Sequence, residues 1–550
     1  MKMNKGIISI FICLTISIQA YSQQDIQKEV RVVKPYTPTL SEASKINLLP
    51  QIKDTLRLNP DFGYKIYPKR YETQFKINRI KPAKMVALPL SKLYKSQLTL
   101  GVGNYRTPLA EFTFNNLRSK STSYGLYLSH LSSAGKVKLE NGKKVDADYN
   151  DNLGRLYLKK MFYRSSLEGN ISGGYNRYMF YGYDASIDSF LLRQNILQKI
   201  YSAGADIRYY STNIDSSHLN YDFGLNYSYT GDAYSNRENA MDLNAGMNAP
   251  VKDFIFGGDI RVRNFRFSGE PDSTAISDTT SMIVNFNPYF TKRSGDWRFL
   301  LGFNTAFEEN DIGMFPRGEF EFNIVKDVLI PYMGVGGYRE VNNYRKILLE
   351  NPYIRPGLRV YNSDHTFIVF GGLKGSFSTK MAYNFNATYS KIHNMYFFIN
   401  DNSDTMRNNF TVAYDNVSLM SLKGEITWNA SEKFQMNMKA NYHEYNMSFI
   451  DKPWHKPSVE LALGAGYNLR DKILINTNLF YTGKRLAPGR GTVVTELDPY
   501  LDANLSCEYR YTKVLSFFLR FNNFTASKYQ NWNQYPVQRF QVIGGFTYAL

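Results

Sequence analysis

The sequence predicts an all-β protein: a transmembrane antiparallel β-barrel of about 22 strands, with 18 or 20 also compatible, preceded by a proline-rich arm. Three observations carry this prediction. The N-terminus has the form of a secretory signal, and no later segment is apolar for the roughly 18 residues that a membrane-spanning helix needs. The chain is rich in aromatics, with 43 Tyr, 37 Phe and 4 Trp in 550 residues. Its mean hydropathy is nonetheless negative, at −0.39. A barrel wall produces that combination, because only every second residue meets lipid and aromatic girdles mark both interfaces. Finally, the chain ends on an alternating strand. In Arg539–Leu550, Phe540, Val542, Phe546, Tyr548 and Leu550 share one face, while Gln541, Gly545, Thr547 and Ala549 are small or polar on the other. Alternation alone does not separate a membrane barrel from a soluble one; the compartment and the length of the strand run do.

Residues 1–22 are expected to be removed as a signal peptide. Lys2 and Lys5 form the positive start, and Ile7 to Ile18 the apolar stretch. Cleavage after Ala20 or Ser22 suits the small residues there. Cys13 raises a lipoprotein alternative, which its place inside the apolar run disfavours. Cys507 is then the only cysteine left, which excludes an intrachain disulfide and a cysteine metal cluster.

Residues 23–93 read as an extended basic arm. From 24 to 93 there are seven prolines, and 14 Lys and Arg against 6 Asp and Glu, a net +8. Proline at this density rules out helices and central strands. Within the arm, Glu29-Val30-Arg31-Val32-Val33 is a short β-prone stretch able to add to the edge of a partner's sheet.

Residues 94–550 read as the barrel. Leu98, Leu100 and Val102 alternate, as do Leu167–Gly174 and Glu319–Ile324. In Val459–Asn468 the odd positions are Val, Leu, Leu, Ala and Tyr and the even ones Glu, Ala, Gly, Gly and Asn. Turns alternate in length. Short ones are expected at Lys252-Asp253, Ser294–Asp296, Lys326-Asp327, Ser431–Lys433, Arg470–Lys472 and Thr512-Lys513. Longer polar segments fall near 268–280, 308–314, 341–352, 446–457, 484–496 and 524–538. Short periplasmic turns opposite long external loops are the outer-membrane arrangement. Between 353 and 430 the alternation does not assign Ser376–Lys380 to either end.

The C-terminal hundred residues carry a family likeness. Leu519-Arg520-Phe521-Asn522-Asn523-Phe524, Lys528-Tyr529-Gln530, Tyr535-Pro536-Val537 and Arg539 before the last strand resemble the end of TonB-dependent receptors. So do Tyr481–Arg485 and Leu497–Asp502. The chain departs from that pattern in closing on Leu550 rather than Phe. It also lacks any stretch resembling the globular plug those receptors carry before the barrel. The resemblance implies an integral outer-membrane protein in contact with lipid. It implies further that Phe540, Phe546, Tyr548 and Leu550 form the signal read by the barrel-assembly machinery, and that Glu29–Val33 stands where a TonB contact would.

Catalysis and cofactors find no support. The six histidines show no ligand spacing, no nucleophile-elbow motif is present, and His443 beside Glu444 reads as a girdle or loop residue. Asp146, Asp148 and Asp151 lack the glycine and terminal glutamate of a calcium loop. The net charge of +18 has no basic run behind it, so no nucleic-acid partner is expected. Two functions stay open: passage of a solute across the outer membrane, or a structural role in an outer-membrane complex with the lumen blocked. A 22-strand lumen left empty would breach the membrane, so the arm, inward loops or a partner must fill it. The arm's Lys65, Lys69, Arg70, Lys76, Arg79 and Lys81 are expected to face acidic lumen positions such as Glu319, Glu321 and Glu460.

Overall fold

The computed structural model describes residues 93–183, 197–212, 218–269, 278–309, 311–403, 406–489, 491 and 493–550. The signal segment, nearly all of the arm and Glu29–Val33 lie outside these.

Twenty-two antiparallel strands form one sheet. Each pairs with its neighbours along the barrel, and the sheet closes on itself. Ser96–Gly103 pairs with Thr107–Asn115 on one side and with the last strand, Gln541–Ala549, on the other. Closure leaves no open edge, which is the condition for a sheet to stand in hydrocarbon. The seam is tied at its end by Lys95 N to Leu550 O (2.9 Å) and Leu550 N to Ser96 O (2.7 Å).

The period of two places the faces. Phe546 and Tyr548 lie outward, opposite Leu100 and Leu98 across the seam. Leu461, Tyr467, Phe256, Ile260, Phe385 and Leu519 are likewise exposed on the outer wall. The opposite face carries the charges: Arg208 with Asp222, Arg261 with Asp242, and Lys159 with Glu168 at 2.7 Å. Glu319 and Glu321 also lie there. The wall itself supplies their cations, Arg298 at 2.8 and 3.3 Å and Lys374 to Glu321 at 2.8 Å. These two carboxylates are therefore already neutralised without the arm. The inner face is not uniformly polar: Ile543 is buried with Leu109 and Phe518.

The two ends differ. Both barrel termini lie at the end where the connections 252–253, 295–296, 379–380, 432–433 and 470–472 are tight. Arg470 (φ 55°) and Asp471 (φ 57°) are both left-handed there, the geometry of a two-residue hairpin turn that matches strand twist. Asn468 supports it by accepting from Asp471 N at 2.9 Å. Ser376–Lys380, which the pattern left open, closes a hairpin at this same periplasmic end. Two expected connections differ. The segment 308–314 is not a long loop: Asp311 already pairs with Glu308, so the ladder runs almost to its tip. Lys326-Asp327 lies within a longer connection, 323–329, folded on itself by Leu329 N to Val325 O (2.9 Å).

Strand length is also uneven. A tilted strand needs about 9–11 residues to cross a bilayer. Met381–Asn400 has 20 and Phe410–Ser431 has 22. Their surplus rises beyond the membrane at the loop end. Register breaks between Ile392 and Met395, with Asn394 at φ 56°. Past that break, Tyr396, Phe397 and Phe398 are buried rather than facing lipid.

Candidate functional site: a lid across the external mouth

The long connections fold inward and meet. Tyr344–Glu350, a short helix in the connection 341–362, places Tyr344, Ile347 and Leu348 into a cluster with Ile354, Leu358, Tyr396, Phe398, Phe410, Ile200 and Tyr535. The helix forms locally for clear reasons. Asn343 caps it by accepting from Lys346 N at 3.1 Å. The buried carboxylate of Glu238, on another strand, accepts from the backbone N–H of Tyr344 (2.7 Å) and Arg345 (3.2 Å). A carboxylate on the exposed N–H groups of a first helical turn satisfies donors that the helix cannot.

Tyr535 stands at the centre and is only 1% exposed. Its ring stacks on Tyr353 at 3.8 Å and meets Tyr181 edge-on at 4.9 Å. Its hydroxyl donates to Asn408 O at 2.5 Å. Tyr181, Tyr353 and Tyr535 come from connections rooted five to seven strands apart around the barrel. At about 4.8 Å per strand that is roughly 24–34 Å along the wall. Their rings touch only because the loops cross the mouth.

Charged and polar groups fasten the lid to the wall. Asp415, 2% exposed, accepts from the N–H groups of Ser448 (3.1 Å), Phe449 (3.0 Å) and Ile450 (2.8 Å), holding the start of the connection 448–458. Arg485 donates to Asn531 O (2.7 Å) and Gln530 O (2.5 Å) and lies over the Tyr500 ring. Asn533 Nδ2 donates to Asn400 Oδ1 at 2.9 Å. His455 joins several of these elements. Its ring touches Phe410 and Trp532, and burial pushes its imidazole down to about 3.

Beside the lid lies a cavity of about 540 Å³, lined by Phe265, Phe267, Tyr361, Arg339, Asp364 and His393 among others. Arg339 is buried and held by Asp364 (2.7 Å), Glu308 (3.0 Å) and Asp311. A buried guanidinium of this kind is tolerable only with such partners. Among the described residues no group of three or more His, Cys, Asp and Glu is placed to hold a metal.

The structure locates the predicted residues as follows. Phe546, Tyr548 and Leu550 lie at the closing seam, and Phe540 packs on Phe521 and Phe524 just above it. His443 is a wall residue bonded to Ser421 Oγ at 2.8 Å. Asp146 pairs with Lys136 at 3.5 Å. The sequence reading allowed inward loops as one way to fill the lumen but named none of the residues that form the lid's core. Its one visible signal was the aromatic and proline content of Trp532–Pro536, inside the very segment that carries the family likeness.

The chain is a closed, 22-strand outer-membrane β-barrel with its external mouth bridged by loops. Solved structures agree. The chain matches the siderophore receptor PirA from Acinetobacter baumannii at 10% identity, covering 84% of this chain and 81% of that one, with a TM-score of 0.63. It matches the FrpB iron transporter from Neisseria meningitidis at 9% identity over 84% and 83%, with a TM-score of 0.64. For the copper transporter OprC the values are 12%, 83%, 82% and 0.59. Identities this low establish a shared fold. No family model matches the chain, and no curated protein does.

Proposed function

We propose that the protein passes a small solute across the outer membrane through a gated barrel that has no globular plug. The observation that carries this reading is the lid: a barrel of receptor size whose external mouth is spanned by its own loops, with a chamber of about 540 Å³ beside them. Proteins of like fold include a siderophore receptor, an iron transporter and a copper transporter. Here the solute enters as an unnamed occupant of the chamber. We propose further that the part of the arm from about Asn59 to Leu93 narrows the periplasmic mouth, and that Glu29–Val33 offers an edge for a TonB-like partner. Planar-bilayer recording tests the reading. The full-length protein should conduct in rare or small steps, and deletion of residues 24–92 should enlarge them while the barrel still inserts. Permanent electrical silence of both forms, in verified inserted protein, would overturn it.

One feature favours a second reading. The lid has a continuous buried core of ten residues, large enough to act as a fixed seal. A structural subunit with a blocked lumen would have this property. The same recording distinguishes the two, since a sealed scaffold stays silent in both forms.

A further inference from the structure

We propose that His455 is an acid-released latch of the external lid. Protonation of its ring breaks the bond that joins the connection 448–458 to the connection 523–540, and the two loops separate.

The geometry is specific about the proton. His455 Nδ1 lies 2.8 Å from Phe398 O, an oxygen that can only accept, so Nδ1 carries the hydrogen. Nε2 lies 3.3 Å from the backbone N–H of Asn533, which can only donate, so Nε2 must be bare. Both ring nitrogens are committed in the neutral form. The backbone N–H of His455 donates to Leu486 O at 2.8 Å, and Asn533 continues the chain to Asn400. The imidazole thus ties the top of Met381–Asn400 to the loop that carries Tyr535, while the backbone of the same residue holds the strand Arg485–Pro488. A second proton would place N–H against N–H in a site where His455 is 6% exposed. An unpaired buried donor is costly, and a buried unpaired cation more so.

The surroundings do not welcome the charge. Lys456 and Arg485 both face His455 and oppose protonation. On the neighbouring elements, Arg407 is a further cation. The carboxylates are held elsewhere: Glu350 by Lys456 at 3.2 Å and by Tyr396, and Asp401 by Arg355 at 3.4 Å. Burial holds the closed-state imidazole near 3, against an ordinary value of 6.5 in the released loop. The sign follows. Above about 6.5 neither state is charged and the latch is at full strength. Between 6.5 and 3 the released state takes a proton that the closed state refuses, and each pH unit favours release about tenfold. Asp415 and Glu238 also fasten the lid, and burial raises the Glu238 carboxyl, so the non-titrating variant at 455, not the pH interval alone, isolates the histidine.

Hydrogen exchange read by mass spectrometry on the full chain in lipid nanodiscs tests this, at pH 7.5 and 5.0 with times scaled for the chemical rate. Peptides from 448–458 and 528–537 should exchange about 30-fold faster at pH 5.0 relative to wall peptides, as one linked proton requires. His455→Asn keeps a donor for Phe398 O, tolerates the left-handed φ of 60° and does not titrate. It should show no pH step. An equal step in both proteins, or none in the wild type, overturns the proposal. Where the variant fails to insert, the wild type alone decides. Its imidazole signals, followed by NMR, must include one histidine whose titration coincides with the exchange step at a pH below 6.5. An exchange step with no histidine titrating alongside it is the contrary result.

Discussion

The wall and the lid of this barrel are held by different physics. The wall is a continuous ladder of backbone hydrogen bonds, with its apolar side chains turned outward to lipid. Leu461, Phe546 and Tyr548 are exposed in the chain and become buried only in a bilayer. The lid is the reverse, a small soluble-protein core that hides Tyr535, Phe398, Phe410, Ile347 and Leu348 from water, with polar fastenings around it. A wall residue therefore answers to the membrane, and a lid residue to its neighbours. Each region can be broken while the other stands.

The largest expected effect is on the wall. Phe546→Asp puts a charge on the lipid face beside the closing seam, at a cost of a few kcal/mol at depth and less near the interface. Because this strand is also where the assembly machinery is expected to act, surface levels and heat-modifiable mobility should both collapse. Normal amounts of inserted protein would refute the assignment of that face.

Tyr535→Ala should leave insertion intact and open the lid instead. Removing a fully buried aromatic costs about 3–5 kcal/mol, which is large for a core of ten residues. Limited proteolysis at the external loops should become rapid while the wall stays protected. A cleavage pattern like the wild type's would show that the three-tyrosine contact does not hold the lid.

Asp415→Asn should act more locally. It replaces one carboxylate oxygen by an N–H₂ group facing backbone donors, a loss of about 1–3 kcal/mol. Exchange should quicken at 448–450 and not at 344–350. Release of the whole lid would make Asp415 a keystone rather than one fastening among several.

The smallest effect is expected from Arg208→Gln in the lumen. Its pair with Asp222 is well exposed, and such pairs contribute about 0–1 kcal/mol. Thermal stability should be nearly unchanged. A large drop would mean that this part of the lumen is drier than its side-chain exposure implies.

The legibility of the two regions differs for the same reason. Wall strands such as Val459–Leu469 announce themselves because period two is imposed residue by residue by lipid on one side and lumen on the other. Turns such as Arg470-Asp471 are readable because backbone geometry is local. The segment 308–314 was less so: Asp311 and Gly313 are loop-like residues that the ladder nevertheless recruits. The lid has no period. Tyr181, Tyr353 and Tyr535 are far apart in the chain, and their contact depends on where the barrel brings their roots. His455 offered only an isolated histidine in Trp454-His455-Lys456, because both of its ring partners are backbone groups that belong to other elements.

The amino-acid sequence by itself therefore determined the barrel, its face alternation, most of its short-turn end and the basic character of the segment before it, since each of these follows from local period, charge and turn chemistry. Tertiary structure alone decided that the lumen carboxylates Glu319 and Glu321 are met by Arg298 and Lys374. It alone decided too that the surplus length of Met381–Asn400 and Phe410–Ser431 becomes a lid, and that one neutral histidine fastens it. Those outcomes depend on closing 22 strands into a ring, which brings together at the mouth residues that no sequence window contains.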